Sequence, residues 1–538
     1  MVGNIVDVII GSHAYQPPGR LKNIVQYHPF PDALRDVKLP DDLVIDPYNG
    51  SKDYTAVATE ECYKPCGEHK ILALASGDFS PTTLSYLEQG RPTVNCKPSP
   101  YDLIRMSYGI SKMNFGGHAS FLMQGGYDHL IFPFETPEVK DIQVSMAKEA
   151  FKAHFGEYPK GAWAPEAGID LQTLETFANN GIEFTVLAPW QAHGIKKIES
   201  ENWEYVGSAI DPGKTYKCSL PNGKSIAIFF FDEPLARKIA HNYCGIYSSS
   251  DNFLGHIKNT RQNGLTVTYN DLETWGHHWG LHKGVDSVKT VSETLLALYD
   301  GKEIDGTIYK LTTFSKYLKE HPPEYEVSIK GWTSWSCHRN GSDHGLGRWG
   351  DHIRTDCDCG DVWDSKWRSN LRYAHEFLNK ETEKIFFHKV GPDYFIDPKQ
   401  ALKEYVLVLC GKEGLKDFLK KHAKPGVKNF EKMYKLLEMQ KFSMLMNTSC
   451  GWFHGNLKRI EPIMNMVAAN SALRILKEIL PRDRGQDIEG RFIELLSQVH
   501  VDFTSADNVF REAIAANPNY YGNGKPKSFL ATAPVVAA

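Results

Sequence analysis

The sequence predicts an α/β unit on a parallel sheet, followed by a mainly α-helical unit. Three observations carry this. Over the first 320 residues, short apolar or β-branched runs alternate with helix-like stretches. The apolar runs lack an alternating polar face, which suits strands buried on both sides. From about Lys366 onward, helical spacing dominates instead.

The elements follow in order. Strands are predicted at Ile5–Ile10, Ile71–Ala75, Phe184–Ala188, Ile226–Phe231 and Leu265–Tyr269. Helices are predicted between them, at Asp141–His154, Leu171–Asn179 and Val288–Tyr299. Pattern alone does not separate an open doubly wound sheet from a closed barrel. Pro322-Pro323, in a polar stretch, marks a boundary. The expected division is therefore 1–322, an irregular Trp- and Cys-rich connection over 323–365, and a helical unit over 366–538. Within the last, Leu371–Leu378, Phe418–His422, Phe430–Met446, Ile460–Ile479 and Arg491–Val501 read as helices.

Composition narrows the function. The 538 residues carry 61 basic and 65 acidic side chains, a net charge of −4. That balance argues against a nucleic-acid partner held by basic charge. Aromatic residues make up 12% of the chain, which suits either a stacking site or a large core. Ile226–Phe231, the longest wholly apolar run, is far too short to span a membrane, so no membrane partner is expected. The N-terminus lacks a basic start and a long apolar stretch, so a cytoplasmic location is expected. Ten cysteines are too sparse for a disulfide scaffold in a chain of this size.

Three strand-end segments carry candidate chemistry. In Tyr269-Asn270-Asp271-Leu272-Glu273-Thr274-Trp275-Gly276-His277-His278, a buried run ends in two carboxylates, an aromatic, a glycine and two histidines. The C-terminal ends of parallel strands are where α/β proteins place active sites. The plainer reading is a surface turn with a helix N-cap. In Gly161-Ala162-Trp163-Ala164-Pro165-Glu166-Ala167-Gly168, Glu166 follows a short apolar run, and Trp163 offers a stacking face. Here Glu166 equally suits the first turn of a helix. His13-Ala14-Tyr15-Gln16-Pro17-Pro18, past the first strand, adds His13 and Gln16 as polar handles on a stiff loop. Two carboxylates on different strand ends are what glycosidic cleavage requires: one for the anomeric carbon, one for the leaving oxygen.

These segments resemble successive motifs of glycoside hydrolase family 57, which comprises α-amylases, 4-α-glucanotransferases and α-glucan branching enzymes. The carrying residues are His13-x-Tyr-Gln16-Pro17, Trp163-Ala-Pro-Glu166 and Asp271-x-Glu273-Thr274-x-Gly276-x-His278. The runs Gly331-Trp-Thr-Ser-Trp-Ser-Cys337 and Thr448-Ser-Cys450-Gly-Trp452-Phe453 are similar to those of a subgroup with a helical C-terminal half. The resemblance implies a distorted (β/α)7 barrel and a retaining hydrolase or transglycosylase acting on α-glucan-type glycans by double displacement. It implies Glu166 as nucleophile and Asp271 as general acid/base. It implies His13 and Gln16 as sugar contacts, with Trp275 close to them, and His118, Glu273, His278 and Trp452 join the expected substrate-binding set. The family's second motif carries a Glu after a Gly. The corresponding segment here reads Gly116-Gly117-His118-Ala119-Ser120, without an acid, with Gln124, Tyr127 and His129 downstream.

No cofactor and no metal are expected. Two metal readings stand beside that expectation. Cys337, Cys357, Cys359 and Cys450 offer four thiols for a structural zinc, without paired Cys-x-x-Cys spacing. His277, His278 and His282 would serve a metal-dependent deacetylase-like hydrolase, the alternative enzyme. A glycan-binding protein without turnover is the non-enzymatic alternative.

Overall fold

The computed structural model describes residues 4–16, 54–88, 98–336, 338–339, 342–343, 345–350, 367–501 and 504–516. Seven parallel strands form a distorted barrel in the first unit. They are β1 (Asn4–Ala14), β2 (Ser76–Phe79), β3 (Phe121–Gln124), β4 (Gly161–Trp163), β5 (Phe184–Leu187), β6 (Ser225–Phe230) and β7 (Gly264–Asp271). Each pairs with the next from β1 to β6, and β7 pairs with β1. The seam between β6 and β7 is thin. It is bridged where the amide of Asp232, just past β6, donates to the Val267 carbonyl at 2.7 Å.

The strands are buried over most of their length because helices cover the outside of the barrel and side chains fill it. Val8, Ile9, Ile10, Val186, Ile228, Phe229, Leu265 and Val267 form this core. Helix Pro137–Phe155 starts where the Thr136 side chain accepts from the Val139 amide, and ends at Gly156 with φ 85°. Helix Leu171–Asn179 is capped in the same way by Asp170.

The sequence expectation at Ile71–Ala75 is corrected. That run is one helical turn, Ile71–Leu74, buried on every side. The strand is the polar tetrapeptide Ser-Gly-Asp-Phe that follows it. β2 lies so close to β1 that a Cβ at Gly77 would stand 2.6 Å from the Ser12 carbonyl oxygen. The tight approach, rather than an apolar pattern, makes this segment a strand.

The boundary expected at residue 322 falls inside the sheet. Strand Tyr325–Ile329 pairs with Ala192–Lys197 and Thr215–Ser219, and the latter pairs with β6. From Trp367 onward the described chain is mainly helical, as expected. Helix Ile460–Ile479 packs on Phe430–Leu445, and Leu437, Phe442, Ile463, Met466 and Leu473 of the two helices are buried. The helix expected at Arg491–Val501 instead spans Arg482–Ser497, and Val501 lies in the two-residue strand His500–Val501.

The halves are joined at several places. Helix Pro137–Phe155 packs on Pro398–Leu409, where Lys399 and Lys403 reach Asp141 at 3.0 and 2.7 Å. Nearer the barrel mouth, Leu130 forms an isolated antiparallel bridge with Thr448.

Candidate active site

Strand register builds the site. His13, near the end of β1, pairs with Asp78 on β2 and with Asp271 on β7. Paired residues on neighbouring strands project to the same face. One imidazole therefore stands between two carboxylates in a single row. Glu166 enters from β4, three residues past Trp163, on a single helical turn. Its backbone is left-handed at φ 58°, and Ala167 follows at φ 47°. Such conformations cost non-glycine residues about 1–3 kcal/mol and persist only where surroundings impose them. The imposing contacts are visible: the Trp335 amide donates to the Glu166 carbonyl at 3.1 Å, and Gln191 Nε2 donates to the Ala167 carbonyl at 2.8 Å.

Hydrogen bonds then sort the carboxylates. Glu166 accepts from Trp335 Nε1 at Oε2, 2.9 Å, and from the Ser449 hydroxyl at Oε1, 3.4 Å. Asp271 has no side-chain hydrogen-bond partner among the described residues. Asp78 receives Tyr269 Oη at 2.8 Å and faces His13 Nδ1 at 2.9 Å. Glu273 lies behind the site, taking the Tyr63 hydroxyl and Gln16 Nε2, the latter at 2.8 Å.

Charge follows from these contacts. Burial opposes a charge on His13, but the Asp78 carboxylate, its hydrogen bond, Asp271 and Glu166 together push the imidazole up to about 9. His13 is thus a cation at neutral pH. Burial and that neighbouring cation drive His129 well below the ordinary histidine range, so it is neutral. Asp271 is exposed to solvent at the end of β7, but protein crowds its other sides. Crowding raises its carboxyl; His13 opposes this and Asp78 adds to it. Burial also raises Glu166, against the Trp335 hydrogen bond and His13, and the charge of Asp271 raises it further. The two carboxylates therefore share one electrostatic site. Burial and Asp271 raise Glu273 to about 7.

Residues 110–330 match the model of glycosyl hydrolase family 57. The chain carries a glycosyl hydrolase family 57 domain. Residues 363–518 match the model of a domain of unknown function, DUF3536. The fold is similar to that of an exo-type maltose-forming amylase from Pyrococcus sp. ST04, with a TM-score of 0.67 at 15% identity over 95% of this chain and 88% of that one. It is also similar to a 4-α-glucanotransferase from Thermococcus litoralis, with a TM-score of 0.52 at 15% identity over 89% and 61% of the two chains. A family 57 branching enzyme from Thermococcus kodakaraensis gives 0.50 at 12% identity over 98% of both. At such identities the likeness is one of fold. No curated protein matches the chain in sequence.

The family 57 match spans Glu166 and Asp271, and the structure gathers most of the other expected residues around them. Their surroundings refine several expectations. Both ring nitrogens of His13 are engaged, by Asp78 and by His129 Nε2 at 3.0 Å, so it has no free N–H for a sugar. Trp163 is fully buried and stacks on Tyr269 at 4.2 Å; it is floor rather than platform. The half-buried Trp335 stands against it at 4.8 Å. Trp275 is also fully buried, its carbonyl facing Cys66 Sγ. Gln16 orients against Glu273. His278 lies beside the site loop, where its amide donates to the Glu273 carbonyl at 2.8 Å.

Two expected contacts are corrected. His118 precedes β3, so it lies at the opposite end of the barrel, near Lys316, Lys319 and Glu320. The end of β3 that faces the site is Gln124, and the loop after it brings His129 in. Trp452 is a core residue of the helical half, fully buried beside Trp367, with Arg372 over its ring at 4.2 Å. Cys337, Cys357 and Cys359 lie outside the described residues, and Cys450 is partly buried in the helical half. Among the described residues no cluster of three or more His, Cys, Asp or Glu side chains is arranged to hold a metal. No helix of the described chain is long and apolar enough to cross a membrane.

Sequence reasoning missed Asp78, Tyr63, Trp335 and Ser449 as site residues. Asp78 was hidden by the shifted strand. Trp335 and Ser449 lay in runs that stood out by resemblance, without a chemical role attached.

Proposed function

We propose that the chain is a retaining α-glucan glycoside hydrolase or transglycosylase in which Glu166 is the nucleophile and Asp271 the general acid/base. One observation carries the assignment: two carboxylates from different strand ends act on each other and on His13 but differ in hydrogen bonding. Donors on both oxygens favour the ionised form of Glu166 and fix its direction. Asp271 has no donor among the described residues and is raised by crowding, which favours the protonated form an acid needs. This asymmetry matches double displacement. Glu166 attacks the anomeric carbon as the bond to the leaving oxygen breaks, and the Asp271 proton passes to that oxygen. Water or an acceptor hydroxyl then gives its proton to Asp271, attacks the anomeric carbon and frees Glu166. Whether water or sugar is the acceptor sets hydrolysis against transfer. The maltose-forming, glucan-transferring and branching enzymes that share the fold support an α-glucan substrate.

The reduced thiols of the six described cysteines suit a cytoplasmic setting. The test is NMR of the product formed from maltooligosaccharides. Retention predicts newly formed ends that appear first as the α-anomer. A β-anomer formed first would overturn the mechanism, and activity lost to a chelator would favour the metal-dependent alternative.

A further inference from the structure

Among the described residues, the helical half reaches Glu166 through one hydroxyl, that of Ser449. Ser449 lies in the DUF3536 match, outside the family 57 match. It is fully buried. Its Oγ stands 2.6 Å from His129 Nδ1 and 3.4 Å from Glu166 Oε1. Its own amide donates to the His129 carbonyl at 2.7 Å, beside the Leu130–Thr448 bridge. Helix Ile460–Ile479 holds the segment: Thr448 Oγ1 donates to Asn465 Oδ1 at 2.8 Å, and Asn465 Nδ2 donates to the Thr448 carbonyl at 3.0 Å. The hydroxyl is fixed from behind by four polar contacts.

The chain of contacts has one consistent direction. Two imidazole Nε2 atoms 3.0 Å apart need one proton between them. His13, paired with Asp78, supplies it, so His129 accepts at Nε2 and carries its own proton on Nδ1. That proton points at Ser449 Oγ, which leaves the hydroxyl hydrogen for Glu166. His13, His129 and Ser449 thus form a line of donors ending on Glu166, and the other N–H of His13 is held by the accepting Asp78 carboxylate.

We infer that Ser449 is a positioning residue for the glycosyl-transfer step, through which the helical half orients Glu166 and holds it ionised. This deepens the proposed function and rests on Glu166 being the nucleophile. Among the described residues, the groups facing Glu166 are Trp335, Ser449, His13, Asp271 and Arg348. Of these, only Ser449 comes from the helical half. Removing a donor from a carboxylate raises its pKa.

The test compares wild type, Ser449→Ala and Ser449→Thr on maltooligosaccharides across pH. Ser449→Ala keeps the backbone bond to His129 and removes only the hydroxyl. Its kcat is expected to fall about tenfold with KM changed less than about twofold, and the acid limb of kcat/KM to rise by about half a pH unit. Ser449→Thr restores both. Side-chain 15N NMR gives a readout that needs no substrate. Wild type should show His13 charged at neutral pH and His129 neutral with its proton on Nδ1, and Ser449→Ala should shift the His129 signals alone. An unchanged pH limb in active Ser449→Ala, or a His129 signal indifferent to the substitution, overturns the inference. A wild type inactive on every glycan instead overturns the reading of Glu166, while NMR still judges the chain of contacts.

Discussion

Glu166 and Asp271 occupy two corners of one site built in opposite ways. Asp271 ends a regular strand, in register with its neighbours, and its carboxyl is left without a hydrogen-bond partner among the described residues. Glu166 sits in a strained turn, and its carboxyl is held by Trp335 from beyond the barrel and Ser449 from the helical half. A group that must give and recover a proton gains from a crowded site with no donor to fix its charge. A group that must attack along one line gains from being fixed. The Asp271 corner is made by the barrel; the Glu166 corner needs segments more than 160 residues away in sequence, as the contacts with Trp335 and Ser449 show.

Four substitutions break or sharpen this contrast. The largest effect belongs to Glu166→Gln, which should lower turnover by about 10⁴-fold or more, measured as glycan cleavage at saturating substrate. Next, Asp271→Ala should lose about 10²–10⁴-fold on natural glycans and far less on substrates whose leaving group needs no proton. Equal losses on both substrates would remove the acid role. The loop beyond Asp271 supplies the third. Gly276 has φ 109°, and a Cβ there would lie 2.0 Å from the Glu61 carbonyl oxygen. Gly276→Ala should therefore destabilise the fold by about 2–4 kcal/mol in denaturant melts. Trp335→Phe is milder. It removes one donor from Glu166, and should reduce kcat about tenfold and move the acid limb of activity to higher pH.

The cation between the two corners gives the smallest effect, and its sign is fixed by the ordinary and folded values. His13 rises from 6.5 to about 9 on folding. The stability from its charge is fully present below pH 6.5 and is lost as pH rises through about 9. The Tm difference between wild type and His13→Gln should shrink over that window. A difference independent of pH would mean that His13 is neutral in the folded protein.

The sequence shows the two corners unequally, for a physical reason. Asp271 was legible because its strand is a long apolar run that ends in polar residues. Glu166 was legible through Trp163 and Pro165 beside it, but its strain and its partners were not. Left-handed backbone at a glutamate leaves no trace in propensity, and Ser449 has no local pattern that points across the fold. Asp78 was missed because the apolar run before it resembles a strand better than Ser76–Phe79 does. The placement of His118 failed for a related reason. Its segment lies next to the apolar part of β3, but on the side where the strand begins, and a sequence pattern does not say which strand end faces a ligand. The helices were easier. Ile460–Ile479 has the predicted ends, since its apolar faces and flanking residues are local signals.

The most direct test of the division of labour is the intact mass of wild type and Asp271→Ala after incubation with α-glucosyl fluoride. Fluoride leaves with little acid help, so the variant should form the glycosyl-enzyme and release it slowly. The account predicts a trapped mass increase of one sugar in Asp271→Ala, mapped by peptide digestion to Glu166. A sugar mapped to another residue, or wild-type turnover of the fluoride with no adduct accumulating in the variant, would contradict it.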